Sequence, residues 1–445
     1  MATSGLTLKA RVFKSGSWTL GSYAYAQILR FISNLILTRL LFPQAFGLMM
    51  IVQSISSGIT MVTDLGASQS IIRSERGDEP GFVNTAWTVQ ILQGGLVALL
   101  LTVTAPLGAA WFSQPQILYL MPMVGLNALL ASFRSTNSAL ADRRLDAKWV
   151  TLLELGSSTF GTACTIFFSW LYRSPYALVM GTIAGTVFSV ALSHKILPGI
   201  RNRFAWDKDA ARGIFGFGSK LALSSTVTFL TGEGSRLLTG SLVTSALLGM
   251  IGLSANLALM TWQLIQKLSG RILFPAYSEV FRERPQDLPK VVLKSRMIQV
   301  VPVWLSSLVL VIVGPWLISR LYDTRYAAVG EIIRIHAIGM MISILNGSYT
   351  GVLWAMGRVG LSTTMLVVQT VIQWACLFLG HHLGGSLGMI LGGSSAGWFN
   401  YIMTATVYSR LGLWSPKFDL PVVAASVGIA VYAWFNFSFD LVAGL

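Results

Sequence analysis

The chain has 445 residues, of which 53% are apolar and only 11% charged, and its mean hydropathy is +0.65. Soluble domains carry about 25% charged residues, so these figures exclude an ordinary soluble enzyme, a disordered regulator and a disulfide-stapled secreted domain. The 32 Lys and Arg against 17 Asp and Glu give a net charge of +15, but the basic residues lie between apolar runs rather than on one solvated face, which points to a membrane protein and away from nucleic acid.

A helix needs about 20 apolar residues to cross about 30 Å of hydrocarbon. That length predicts thirteen spans. In the first half they fall at about 16–40, 46–70, 83–111, 117–140, 149–171 and 175–197. In the second half they fall at about 214–243, 246–270, 297–320, 329–356, 360–381, 386–409 and 419–439. Short breaks such as Phe42-Pro43-Gln44 and Arg173-Ser174-Pro175 carry the Pro that stops a helix. The apolar runs are continuous, without the alternation of a barrel strand, and a backbone in lipid must then satisfy itself as helix. With the N-terminus placed in the cytoplasm, alternate loops hold most of the Lys and Arg, while the opposite loops hold Arg39, Arg173, Arg320 and Arg325. Lys9, Arg11 and Lys14 precede the first span, which reads as an uncleaved helix rather than a signal peptide.

The segment after span six divides the chain into two sets of six spans, expected to be parallel repeats. The expected organisation is an N-lobe at 1–200, a cytoplasmic linker at 201–213, a C-lobe at 214–412 and an accessory thirteenth helix at 413–445. Tyr277–Arg296 reads as a cytoplasmic interfacial linker. The fold class is thus an all-α integral membrane protein of two six-helix bundles plus one helix. No phosphate-binding G-x-x-x-x-G-K-[ST] loop, metal-ligand spacing or nucleophilic triad is present in the sequence, so neither ATP hydrolysis by that route nor catalysis is expected, and no cofactor or metal.

Charge inside the spans is the unusual feature. Arg30 falls in helix one, Arg134 in helix four, Lys220, Glu233 and Arg236 in helix seven, and Arg334 in helix ten. A charge at a helix centre costs roughly 2.5–3.5 kcal/mol on an insertion scale, so these side chains are expected to face the bundle interior or water. Asp64, Glu154 and Glu331 lie nearer span ends, where a side chain can reach the interface. Embedded basic residues outnumber acids, and the implied positive cavity wants an anionic substrate.

Leu37–Leu48 reads LTRLLFPQAFGL, Asp64–Gln69 reads DLGASQ, and Arg271–Ser278 reads RILFPAYS. In these three stretches the chain resembles the polysaccharide transporter family, the Wzx-type lipid-linked oligosaccharide flippases of the MOP superfamily. Helix seven departs from that family's pattern, because Ser235 and Ser241 stand at its Asp and Arg positions while Glu233 and Arg236 bring charge nearby. The resemblance implies two six-helix lobes around a central cavity, in a bacterial inner membrane, moving an undecaprenyl-diphosphate-linked oligosaccharide from the cytoplasmic to the periplasmic leaflet by alternating access. Guanidinium groups can hold phosphate oxygens bidentately, which makes Arg30, Arg134, Arg236 and Arg334 the expected diphosphate-binding residues. Glu233 and Asp64 are the candidates for coupling to H+ or Na+. The implied partners are the lipid-linked oligosaccharide, membrane lipids, and glycan polymerase and export-complex proteins. The alternatives are a MATE-type small-molecule exporter, which needs embedded acids for cationic drugs, and a membrane glycan polymerase or ligase, which needs a large external loop.

Overall fold

In the computed structural model, which describes residues 8–144 and 147–438, every regular element is helical. The last residues of the expected accessory helix and the side chains of Lys220 and Arg271 lie outside what is described. The chain divides into two compact units, one ending at Leu237 and the other beginning at Leu238.

The first unit holds α1 (Leu8–Leu40), α2 (Pro43–Thr63), α3 (Ala67–Arg73), α4 (Pro80–Trp111), α5 (Ile117–Ser132), α6 (Asn137–Arg143), α7 (Ala147–Tyr172), α8 (Pro175–Ile196) and α9 (Lys208–Phe229). A proline opens α2, α4 and α8, at the position where its missing N–H and fixed φ cost nothing. Here α4 packs along α5, α7 along α8 and α1 along α7. The expected span at 46–70 is interrupted. Asp64 Oδ1 accepts a 2.8 Å hydrogen bond from the Gly66 N–H, and Gly66 takes a left-handed φ of 63° that suits glycine, so α2 stops and α3 starts anew. Span four is also broken, with α5 and α6 meeting at 61°.

Sequence reading puts 201–213 in a linker and 214 onward in a second lobe. In the structure α9 packs on α2, α3 and α4, and the compact division falls after it. Gly218 makes this approach close, since a Cβ there would meet the Leu65 carbonyl oxygen at 2.5 Å. Five side chains lace the segment before α9 to its neighbours. The N–H groups of Arg203, Ala205 and Asp207 donate to Asn84 Oδ1, Thr88 Oγ1 and Thr85 Oγ1 of α4, at 3.1, 3.2 and 2.9 Å. Asn137 exchanges two bonds with the Ile200 backbone, and Ser135 Oγ donates to Asn202 Oδ1 at 2.7 Å. A linker without secondary structure is thereby held as a strap.

The second unit holds the end of α10 (Ser235–Leu242), then α11 (Ser245–Glu283), α12 (Leu288–Leu321), α13 (Val329–Gly347), α14 (Val352–Ala355), α15 (Val359–Arg410) and α16 (Pro416–Phe435). Spans eleven and twelve are joined in α15 through a break at Gly384 and Gly385, the latter at φ 58° and ψ −142°. The Tyr277–Arg296 segment is not a solvated linker: α11 runs through it to Glu283, and α12 resumes at Leu288. Arg296 is fully buried there, and its Nη2 donates to Asp419 Oδ1 of α16 at 2.8 Å. Its Nε donates to Ser348 Oγ at 2.9 Å, and its guanidinium lies 3.9 Å over the Tyr349 ring. Tyr401 donates to the second Asp419 oxygen. An isolated buried charge is expensive and a paired one is tolerated, so α16 is fixed to α12 and α15 by this network.

Among the described residues, eight helices are long and apolar enough to cross a membrane, and the bent α5–α6 pair makes a ninth. The spans expected in α1, α7 and α9 are helical but carry more polar and charged residues.

Candidate functional site

Glu233 lies in a π-helical turn, Leu230–Gly234, between α9 and α10. Such turns are rare and occur frequently at functional sites. Glu233 and Arg236, three residues apart, share one face as neighbouring helix positions do, and Arg236 Nη1 donates to Glu233 Oε1 at 2.8 Å. The other carboxylate oxygen accepts from Ser54 Oγ of α2 at 2.6 Å. Glu233 is mostly covered and Arg236 half-exposed, their side chains retaining 20% and 50% of full accessibility. The triad therefore has a partly buried anion and a half-exposed cation. Ser54 was not singled out in the sequence, where it is one of several Ser in α2 and nothing marks the partner of an acid about 180 residues away.

Arg134 stands in the 61° break between α5 and α6. The break frees backbone carbonyls, which side chains then occupy. Gln90 Nε2 donates to the Ser132 and Arg134 carbonyls, and His194 Nε2 and Trp87 Nε1 lie within hydrogen-bond distance of the Phe133 carbonyl. The Ser135 N–H donates to Ser193 Oγ. Ser193 and His194 are in the last turn of α8 and Asn202 is in the strap. Arg134 is thus level with the last turn of α8 and with the strap, at the basic-loop end of this unit. Its Nε is buried with no hydrogen-bond partner. Arg30 is exposed on α1 and forms no ion pair among the described residues.

Two expected residues have other employment. Asp64 closes the turn after α2 through Gly66, and no described contact joins it to Glu233. Arg334 Nη1 bonds Glu331 Oε2 at 3.0 Å and the Asn436 carbonyl at 2.6 Å, and its Nε bonds the Val311 carbonyl at 3.1 Å. With Glu331 buried beside it, Arg334 fastens α13 to α12 and to the end of α16 through its Nε and Nη1 groups. Glu331 correspondingly does not reach for the interface. The structure brings Glu233 and Arg236 together; no hydrogen bond or ion pair among the described residues links either one to Arg30 or Arg134.

Charges on the basic-loop side form a clasp around the strap. Arg76 bonds Glu79 and Asp207, both within 2.8 Å, and Asp207 also accepts the N–H groups of Asp209 and Ala210 that begin α9, as an N-cap does. The hydrogen bond from Arg76, then those from the α9 backbone, hold the Asp207 carboxyl below its ordinary value. Arg144, with Arg143 behind it, does the same for Asp78. Arg143 also donates to the Ile71, Ile72 and Ser74 carbonyls at the end of α3.

The all-helical fold and the membrane-length spans define a polytopic membrane protein. Residues 36–330 match the model of the polysaccharide biosynthesis protein family, and the chain belongs to that family. It is 18% identical to the lipopolysaccharide biosynthesis protein WzxC of Escherichia coli K12, over 96% of this chain and 89% of that protein. Its fold is similar to that of a multidrug resistance MATE family transporter of the MOP superfamily in an inward-facing conformation. That match has a TM-score of 0.67 at 12% identity, over 87% of this chain and 95% of the other. The lipid II flippase MurJ in an inward closed conformation matches with a TM-score of 0.65 at 12% identity, over 93% of each chain.

Proposed function

We propose that the protein moves a lipid-linked oligosaccharide, carried on undecaprenyl diphosphate, from the cytoplasmic to the periplasmic leaflet of a bacterial inner membrane by alternating access. The observation that carries this reading is the pair Arg30, on α1, and Arg134, in the break between α5 and α6, two cations that no described carboxylate neutralises. The names of the relatives, a lipopolysaccharide biosynthesis protein and a lipid II flippase, support the same class of cargo. A diphosphate headgroup satisfies exposed guanidinium groups through charge-assisted bonds, while the lipid tail stays in the bilayer.

Glu233 supplies the coupling. Ionised, it holds Arg236; on taking up a proton it loses most of its hold, and Arg236 is released toward the headgroup. Binding and protonation then favour one another, which is the requirement for a gradient to drive the cycle. Na+ could replace the proton at the same carboxylate. A MATE-type export of cations is less well served, since Asp64, Glu331 and Asp419 are all occupied by protein donors. Glycan polymerase and export-complex proteins are the proposed downstream partners, and the chain itself performs transport rather than catalysis. Deleting the gene tests the reading. Lipid-linked oligosaccharide should accumulate on the cytoplasmic leaflet, and undiminished glycan export would refute it.

A further inference from the structure

Within the second unit a cavity of about 500 Å³ opens among α11, α13, α14 and α15, within the range of small-molecule sites. None of its lining residues is charged. Trp262, Tyr349 and Tyr408 supply aromatic walls, and Asn346, Asn400 and Thr404 supply amide and hydroxyl groups. Gly347 lets the Trp262 indole lie against α13, because a Cβ there would meet the ring at 2.6 Å.

Four polar atoms at this cavity are buried and have no hydrogen-bond partner: Asn346 Oδ1, the Tyr349 hydroxyl, Asn400 Oδ1 and Thr404 Oγ1. Tyr349, Asn400 and Thr404 retain only 2%, 9% and 1% of their exposure. Native folds leave few such groups unsatisfied, because each forfeits its hydration. Four around one cavity indicate a ligand that donates and accepts at several points. The charge behind the wall is already balanced. Tyr349 is sandwiched between Tyr408, at 3.7 Å between ring centres, and the Arg296 guanidinium, which Asp419 neutralises. A cationic drug would find no carboxylate in this lining and a phosphate no free cation. A sugar ring presents hydroxyls around its edge and C–H bonds on its faces, which match amides and hydroxyls beside the Trp262 indole.

We propose that this cavity binds an uncharged sugar ring, acting as a glycan subsite distinct from the arginines of the first unit. That the ring belongs to the transported cargo rests on the flippase reading; that the cavity accepts neutral sugars does not. The full-length protein in lipid nanodiscs, probed by saturation-transfer NMR with methyl glucoside and N-acetylglucosamine, gives the test. Neutral sugars should receive saturation, Asn400→Leu with Thr404→Val should cut the signal about tenfold, and tetraphenylphosphonium should not compete. Thr404→Val alone guards against misfolding: it replaces an unpartnered hydroxyl by a methyl, so its thermal midpoint should stay at the wild-type value while its sugar signal falls. No signal from either sugar, equal signal in the variants, or displacement by tetraphenylphosphonium overturns the proposal. Glycan export that persists in the gene deletion would sink the flippase reading while leaving these binding outcomes where they stand.

Discussion

Arg334 and Arg296 each sit in an apolar helix of the second unit and each is held by a carboxylate, at 3.0 and 2.8 Å. Removing one member of a buried pair leaves the other charge without compensation. Asp419→Ala is therefore expected to lower stability by about 3–5 kcal/mol, read as an earlier unfolding midpoint in detergent. Replacing both Asp419 and Arg296 by apolar residues should recover much of the loss, and a double variant as unstable as the single one would contradict this assignment. Glu233 is a different case, since its partner Arg236 is half-exposed and its role is proposed to be a switch. Glu233→Gln should leave the protein in the membrane but make transport insensitive to collapse of the proton gradient, whereas wild-type transport should fall. Unchanged gradient dependence in the variant would remove Glu233 from coupling. The sequence exposes which residues are costly, because an Arg in an apolar run is visible without a structure. It does not expose which are already paid for: Arg334 has Glu331 three residues away and reads as paired or free alike, and the partner of Arg296 lies more than 120 residues on.

Helix breaks and caps decide how these residues are presented. Asp64-Leu65-Gly66 was legible as a family-like motif, yet only the 2.8 Å bond to the Gly66 N–H shows that its carboxylate makes a turn. The polar run from Ser132 to Ser138 was legible as unusual, but not as a break, since no Pro or Gly marks it. What makes it a break is the set of side chains from α4 and α8 that take up its carbonyls. Gly218→Val should push α9 away from the Leu65 backbone, reducing the yield of folded protein and transport together. The strap clasp carries a pH dependence. Asp207 and Asp78 both have lowered pKa values in the fold. Their contribution is complete above the ordinary aspartate value of 3.8 and is lost as pH falls through the depressed values. Pepsin should cut within 198–207 faster as pH is lowered through that range, and Asp207→Asn should be cut faster than wild type at the upper end. Equal rates for the two proteins there would show that the clasp does not hold the strap.

At the scale of the whole molecule, the all-helical class followed from the length of the apolar runs and the placement of proline. The compact division did not, because α9 joins the first unit through contacts at Gly218 and Gly58 that no charge or hydropathy pattern announces. The family match and the MOP-type fold agree with the resemblance carried by Leu37–Leu48, Asp64–Gln69 and Arg271–Ser278. Within that frame, chemistry divides by unit: Arg30 and Arg134 without an ion pair among the described residues, and the Glu233–Arg236 pair, in the first; an uncharged aromatic and amide cavity in the second. The most direct measurement is glycan export and leaflet distribution of the lipid-linked oligosaccharide in cells carrying Arg30→Ala, Arg134→Ala or both. Loss of export with the protein still in the membrane, and cargo retained on the cytoplasmic leaflet, is the expected result; full export by the double variant contradicts a diphosphate held by these arginines.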